Sequence, residues 1–165
     1  MIAWQVLITF IAIVVLAIII NGVEDCGNKN SLTRLSFADS MGRLNLPVIT
    51  LTNNGQAFNF LVDTGASLSV VDSIALDKLV HTELNTIGDA YGIDGNIVKV
   101  NYVEIQLDSA NFTFTEQFQV MRLEAFDNLR ETDNLHLSGI LGSAFLKTHG
   151  FIVDFETLTL CSKNT

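Results

Sequence analysis

The segment FNFLVDTGASLSVV, residues 58–71, constrains the fold more than any other part of the chain. It begins as an apolar run typical of a buried strand, and Asp63, Thr64 and Gly65 then interrupt that run. Gly65 permits a sharp turn and the close approach of another segment, so we expect the strand to end at Asp63. An ionised carboxylate in such surroundings is costly unless another group compensates its charge. No Lys, Arg or His lies near Asp63 in the sequence.

Short strand-like segments separated by turn signals surround this stretch and indicate an all-β protein. Pro47 precedes the β-rich segment VITLTN, and Asn54-Gly55 is a typical two-residue hairpin turn. A second hairpin is expected with Asp94-Gly95 at its tip, and the segments GFIVDF and TLTL are expected to form a closing hairpin. Many short strands with such turns predict a barrel or a sandwich.

Two segments favour short helices. Asp72 or Ser73 can cap the segment that follows them. Leu123, Phe126 and Leu129 have the spacing of one face of a helix, and we interpret this face as core packing.

The N-terminal segment differs from the rest of the chain in charge. Residues 1–23 contain no Asp, Glu, Lys or Arg, and twenty helical residues span about 30 Å, the thickness of a bilayer's hydrocarbon core. A cleaved signal peptide is the alternative, but no basic residue precedes the apolar run and no A-x-A site follows it. We therefore expect residues 1–22 to be a transmembrane anchor, residues 23–32 a linker and residues 33–165 the folded domain.

The anchor predicts a single-pass membrane protein whose N-terminal helix contacts lipid. Lys29 and Arg34 follow the apolar segment, which favours a cytoplasmic domain by the positive-inside rule, although the sequence leaves the side of the membrane open. The whole net charge of −9 lies after residue 23. This acidic balance argues against nucleic acid as a partner, because phosphates are bound by Lys and Arg.

Neither the cysteines nor the histidines have the spacing of a metal or redox site. Cys26 and Cys161 can close a disulfide in an oxidising compartment, but we interpret them as two separate thiols. His81, His136 and His149 share no metal-ligand spacing and are interpreted as surface or loop residues.

A second carboxylate facing Asp63 would explain why its charge is tolerated. At about 3 Å, and with an effective dielectric constant of about 20, two full charges repel by roughly 5 kcal/mol, or about 4 pKa units. Such a pair holds one proton between its members over a wide pH range. One carboxylate can then take a proton from water while the other donates a proton to a carbonyl oxygen.

The segment LVDTGAS resembles the active-site loop of aspartic proteases, and SGILGSAFLKTHGFIVDF resembles the C-terminal part of retroviral-type proteases and their cellular relatives. The resemblance covers roughly residues 45–160, with these features in the same order. It implies an all-β, closed retropepsin-like barrel with one or two short helices. It also implies an aspartic endopeptidase that acts on polypeptides and needs neither a metal nor another cofactor.

The resemblance implies a role for each residue of the loop. Asp63 is implied to be catalytic, and three residues are implied to shape the loop around it: Thr64, Gly65 and Ala66. Acid-active, two-lobed members usually have a hydroxyl residue in place of Ala66. We expect a less acidic pH optimum here, because one hydrogen bond to the ionised pair is missing. Ser67 departs from the retroviral pattern, which has a second Asp that holds the substrate backbone.

Two further segments share the resemblance. The loop-packing segment implied to pass beneath the active-site loop comprises Ile140, Leu141 and Gly142, and it is followed by a helix over residues 143–148. A flap over bound peptide is implied for the hairpin that contains Tyr91, Gly92 and Gly95. Tyr91 is also explained as an ordinary strand aromatic.

The chain contains a single D-[ST]-G motif, and its 165 residues leave no room for a second lobe. A pair of carboxylates therefore requires a C2 homodimer with Asp63 of each subunit at the axis. One alternative is that Asp63 only caps a turn as part of an Asx motif. A second is a non-catalytic, membrane-tethered module that binds peptide or dimerises through the same barrel. A third is a small anchored β-barrel that binds a ligand and has no peptide role, which requires the D-T-G motif to be accidental.

Overall fold

The computed structural model describes residues 33–91, 97–109 and 112–162. Several predicted features lie outside these ranges: the anchor, the linker, Cys26, Gly92, Asp94 and Gly95. In the part of the chain that is described, no helix is long and apolar enough to cross a membrane.

The described residues form ten strands and four short helices. In chain order these are β1 (Thr33–Ser36), α1 (Ala38–Leu44), β2 (Val48–Asn53), β3 (Gln56–Val62), β4 (Val70–Asp72), α2 (Ser73–Leu76), β5 (His81–Tyr91), β6 (Ile97–Ser109), β7 (Phe112–Met121), α3 (Ala125–Asp133), β8 (Leu137–Leu141), α4 (Ser143–Thr148), β9 (Phe151–Asp154) and β10 (Thr159–Ser162). The predominance of strands is confirmed, but the expected one or two helices were too few. Helix α1 carries weak sequence signals, because Gly42 lies within it and its N-cap Phe37 forms no side-chain cap hydrogen bond.

Six strands close into a barrel, as predicted. Hydrogen-bonded neighbours follow the order β2-β3-β8-β4-β7-β6, and β6 pairs back onto β2 through Thr52 and Asp108. The pairs β3–β8 and β4–β7 are parallel, and β5 extends the sheet from β6 as the second predicted hairpin. Asn54 and Gly55, with φ angles of 49° and 78°, form the tight turn between β2 and β3.

Apolar side chains of the barrel strands and α4 form the main core. Its fully buried members include Ile49, Leu51, Phe60, Val71, Ile105, Leu107, Phe118, Leu141 and Phe145. Burial of each such side chain contributes about 1.5–3 kcal/mol to the stability of the fold. The packed core therefore holds the ends of the barrel strands in place. A second cluster joins Phe126 of α3 to Val48 and Leu137, with Leu123 and Leu129 packed against it, so the predicted apolar helix face is core packing.

A separate three-stranded sheet, in the order β1-β10-β9, contains both ends of the described chain. The antiparallel pair β9–β10 is the predicted closing hairpin. Cys161 in β10 is buried and disulfide-bonded, so the interpretation of Cys161 as a separate thiol was wrong. Distance along the sequence does not reveal which thiols a fold brings within bonding reach.

Candidate active site

The loop that carries Asp63 connects β3 to β4, and we call residues 63–69 the active-site loop. Val62 ends β3 and pairs in parallel with Leu141 of β8. This pairing lets the backbone N–H of Asp63 donate a 3.1 Å hydrogen bond to the carbonyl oxygen of Leu141. The loop therefore begins directly above the end of β8.

The N-terminal end of α4 binds the underside of the active-site loop. Ser143 N–H donates to the Ala66 carbonyl at 2.8 Å, and Ala144 N–H donates to the Ser67 carbonyl at 3.1 Å. The hydroxyl of Ser143 donates a further 3.0 Å bond to the Ala66 carbonyl. The first N–H groups of a helix have no partner within it, so the loop carbonyls satisfy donors that α4 leaves free.

Gly142 lies between β8 and α4, where the loop comes closest. A Cβ atom at this position would lie 2.6 Å from the carbonyl oxygen of Leu68 and 2.9 Å from that of Ala66. Both atoms belong to the backbone, so they cannot move aside as the end of a flexible side chain can. Glycine at this position is therefore a steric requirement of the docked loop. Of the other predicted loop-packing residues, Leu141 bonds to Asp63, and Ile140 packs against the cluster of Phe126.

The Asp63 carboxylate is oriented by its own loop. Its Oδ1 accepts a 2.8 Å hydrogen bond from the Gly65 N–H, which is the geometry of an Asx turn. The side chain is half-buried, and it forms no ion pair with any residue that the structure describes. The turn therefore fixes one oxygen and leaves the carboxylate without a compensating cation among the described residues.

A groove of about 380 Å³ adjoins Asp63. Its other lining residues are mostly apolar: Leu46, Pro47, Leu61, Val62, Thr64, Val153 and Phe155. Phe155 is 59% exposed and touches Phe37 edge-to-face, at 5.7 Å between ring centroids. A second cavity, of about 270 Å³, lies beside Asp72 and Phe126 and includes no residue of the active-site loop.

Comparison with known proteins identifies the family. A family model described as "Aspartyl protease" matches residues 49–145, which is more than half of the chain. The chain belongs to the aspartyl protease family. A solved structure of EIAV protease in complex with an inhibitor is similar over 66% of this chain and 91% of its own length, with 18% sequence identity and a TM-score of 0.49. A search of curated protein sequences finds no match.

The other predicted residues of this aspartyl protease are placed as follows. Thr64 and Ser67 are exposed, and Ala66 is half-buried above Ser143. Tyr91 is the last residue of β5, and the predicted flap tip beyond it lies outside the described residues. Within the described ranges, no group of three or more His, Cys, Asp or Glu is arranged to hold a metal ion.

Three polar residues of the aspartyl protease that sequence reasoning did not connect meet at the end of the active-site loop. Ser69 is 1% exposed and donates a 2.9 Å hydrogen bond to Glu116 of β7. The other carboxylate oxygen of Glu116 lies 3.6 Å from Nε2 of His149. His149 lies in the turn that follows α4, as a loop residue should, but its ring is largely buried. The ring packs among four phenylalanines: Phe112, Phe114, Phe145 and Phe151.

Burial changes the acidity of Glu116. Burial raises the pKa of Glu116 above its ordinary value of 4.5, and the opposing effects of Ser69 and His149 are smaller. One sequence signal could have indicated that Glu116 points inwards, namely the alternation of side chains along β7. Glu116 shares a strand face with Phe114 and Phe118. Nothing in the sequence indicated that Ser69 and His149 would meet it there.

Proposed function

We propose that this chain is an aspartic endopeptidase that hydrolyses peptide bonds with water activated between two Asp63 carboxylates of a homodimer. The observation that carries the proposal is the state of Asp63 itself. Its backbone is held by Leu141 and its carboxylate by Gly65, yet no cation compensates its charge among the described residues. Membership of the aspartyl protease family supports the same chemistry.

In the proposed mechanism, the two Asp63 side chains share one proton. The ionised carboxylate takes a proton from water, and the water oxygen attacks the carbonyl carbon of the peptide bond. The protonated carboxyl donates its proton to the carbonyl oxygen, which gives a tetrahedral diol. The carboxyl that took the proton from water then donates it to the amide nitrogen, while the other carboxylate takes a proton from a hydroxyl of the diol. The carbon–nitrogen bond breaks, and the two Asp63 side chains again share one proton. General acid–base catalysis of this kind typically contributes about 10²–10⁴-fold to the rate.

The surface around Asp63 supports the homodimer. Thr64 and Phe155 are exposed beside the groove, and Thr64 has a hydroxyl group that can hydrogen-bond across a two-fold contact. Strand β9 is at an edge of the three-stranded sheet, and no described strand pairs with its outer side. The proposed anchor would raise the effective concentration of two copies in one membrane and favour their pairing.

An extended polypeptide is the proposed substrate, bound between the active-site loop and the β5–β6 hairpin as an added strand. Leu68 on the loop is 44% exposed, and Ile97 and Val98 on the hairpin are 59% and 52% exposed. These side chains favour apolar groups in the substrate. The proposed location of the enzyme is the membrane, by a single N-terminal span.

The test is proteolysis by the purified full chain in detergent, with a denatured peptide library over a pH series. Wild type is expected to cleave and Asp63→Asn to lose cleavage. Asp39→Asn, the same change at a side chain that is 89% exposed, is expected to cleave as wild type does. Specific activity is expected to rise with protein concentration as dimers form. Equal cleavage by wild type and Asp63→Asn would exclude the mechanism, and cleavage by neither would favour the non-catalytic peptide-binding module.

A further inference from the structure

A continuous chain of hydrogen bonds joins Asp63 to the half-buried carboxylate of Glu116. It begins at the Asp63 N–H, which donates to the carbonyl oxygen of Leu141 at 3.1 Å. The Leu141 carbonyl and the Gly142 N–H belong to one peptide group, and that N–H donates to Oγ of Ser69 at 3.3 Å. The Ser69 hydroxyl then donates to Glu116 at 2.9 Å.

One rigid peptide plane is therefore held from both sides. Rotation of the Leu141–Gly142 peptide would break its bond to Asp63 and its bond to Ser69 together, because the peptide unit is planar. Asp63 and Ser69 are the two ends of the active-site loop, so this single plane sets the position of both ends.

The charge on Glu116 sets the direction of the last bond in this chain, whereas the two backbone N–H groups can only donate. An ionised carboxylate only accepts hydrogen bonds, so the Ser69 hydroxyl must donate to it and keeps its lone pairs for the Gly142 N–H. All three donors then point towards Glu116. Aligned hydrogen bonds of this kind polarise one another and strengthen by about 10–30% each.

His149, in the turn that follows α4, faces Glu116 at 3.6 Å, and Ile105 lies opposite Glu116 on β6. The Glu116 and His149 side chains are 14% and 15% exposed, so this acid–base pair is largely screened from solvent. Burial disfavours the ionised form of Glu116 and raises its pKa. A purely apolar pair would avoid that cost, which argues that the carboxylate has a use beyond packing.

We propose that Ser69, Glu116 and His149 are positioning residues that set the placement of Asp63 through the Leu141–Gly142 peptide. Ser69 is the link, Glu116 orients the Ser69 hydroxyl, and His149 faces the Glu116 charge. The catalytic consequence of this inference rests on the proposed protease function, whereas the structural link does not.

The direct test measures the NMR signal of the Gly142 amide proton as the pH changes, with the full chain in detergent. The chain contains the substitution Asp63→Asn, so that residue 63 does not titrate. In that background, the Gly142 signal is expected to move with the ionisation of Glu116. Adding Glu116→Gln is expected to abolish this movement, because glutamine accepts the Ser69 bond without titrating. Adding Glu131→Gln, the same change at an exposed residue of α3, is expected to leave it unchanged.

The kinetic test compares Ser69→Ala with Ser69→Thr in the active enzyme. Loss of the hydroxyl is expected to lower kcat by about 5- to 20-fold and to change KM by less than about twofold, because the residue positions Asp63 without touching substrate. Threonine retains the hydroxyl and is expected to restore kcat to within about twofold of wild type.

The proposed link between Glu116 and Asp63 would be overturned if the Gly142 signal did not titrate in the Asp63→Asn variant. It would also be overturned if the signal titrated equally after Glu116→Gln was added. A wild-type kcat in Ser69→Ala would overturn its catalytic consequence. If wild type shows no Asp63-dependent proteolysis, the proposed function fails. The NMR comparison still decides whether Glu116 and the Leu141–Gly142 peptide are linked. If Ser69→Ala does not fold, the Glu116→Gln comparison decides it.

Discussion

At the scale of single residues, the geometry of this site depends on two glycines that have no side chain. Gly142 has no side chain to separate the active-site loop from the start of α4, and Gly65 leaves room for the Asp63 carboxylate, whose Oδ1 would lie 3.1 Å from a Cβ at residue 65. The glycine of the ILG motif is therefore a steric requirement, and the glycine of the DTG motif avoids a tight contact with the Asp63 carboxylate.

We predict that Gly142→Ala destabilises the fold by about 1–3 kcal/mol and reduces proteolysis at least about tenfold, since the added methyl group collides with the backbone of Leu68 and Ala66. Urea unfolding and the peptide assay would measure both effects. The control is Gly42→Ala in α1, where a Cβ meets nothing within 4 Å. This control is expected to gain about 0.5–1 kcal/mol from helix propensity. Equal stability of Gly142→Ala and wild type would contradict the prediction.

We predict that the stability of the fold depends on pH through the raised pKa of Glu116. Its folded-state pKa lies above the ordinary value of 4.5 because of burial, so the folded state binds the proton more tightly than the unfolded state. Its contribution to stability is thus present below about pH 4.5 and lost as the pH rises through the raised pKa. Glu116→Gln has no charge to desolvate, so its stability relative to wild type is expected to rise from pH 4.5 to pH 8.

Urea unfolding of wild type and Glu116→Gln across this pH range measures the difference. Glu131→Gln, at an exposed position, should show no such trend. The opposite sign, with Glu116→Gln losing stability relative to wild type as the pH rises, would mean that the ion pair with His149 outweighs the cost of burial.

At the scale of elements, strand β8 and helix α4 act together as the base of the site. Parallel pairing with β3 brings the end of β8 to Asp63, and α4 follows at once with its free N–H groups against the loop. Phe145 holds α4 in the core, at 0% exposure and within 5.0 Å and 5.4 Å of the rings of Phe114 and Phe151. The position of the loop therefore depends on the packing of this helix.

We predict that Phe145→Ala lowers the free energy of unfolding by about 3–5 kcal/mol, because it removes a fully buried ring and leaves a cavity. Lys147→Ala, at an exposed position of the same helix, should change it by less than about 0.5 kcal/mol. Chemical denaturation compares the two. A loss below about 1 kcal/mol for Phe145→Ala would show that α4 does not anchor the core.

At the scale of the whole molecule, the proposed mechanism makes this chain one half of a symmetric site. One Asp63 carboxylate lies beside an open apolar groove, and the barrel strands are already closed on themselves. In the proposed homodimer, the groove and the outer edge of β9 would form the contact with the second copy. The mechanism proposed for this aspartyl protease needs that copy, because one carboxylate cannot act as acid and base in the same step.

We predict that Phe155→Ala weakens the dimer by about tenfold or more, because an aromatic ring that is 59% exposed beside Asp63 would be buried between two copies. Sedimentation of the full chain in detergent and the concentration dependence of activity would measure this. Val80→Ala is the control, since Val80 is equally exposed at 59% and does not line the groove. Unchanged dimerisation in Phe155→Ala would place the interface elsewhere.

The sequence predicted local features well because their causes are local. Asn54-Gly55 requires a tight turn through its positive φ angles, and Asp72 caps the short helix that follows it by accepting from the N–H of Ile74. Helix α1 was missed because its stability comes from tertiary contacts, such as the burial of Phe37 to 1% exposure, and not from caps or propensity.

What the sequence determined by itself is the chemistry around Asp63: a strand end, a glycine turn and a carboxylate without a nearby cation. These properties arise within a few consecutive residues, so a linear pattern can express them. Tertiary structure decided the rest, namely the peptide plane beneath Asp63, the meeting of Ser69 with Glu116, and the burial of His149. Such contacts join distant segments through barrel closure, and pairing between distant segments leaves no periodic trace in the chain.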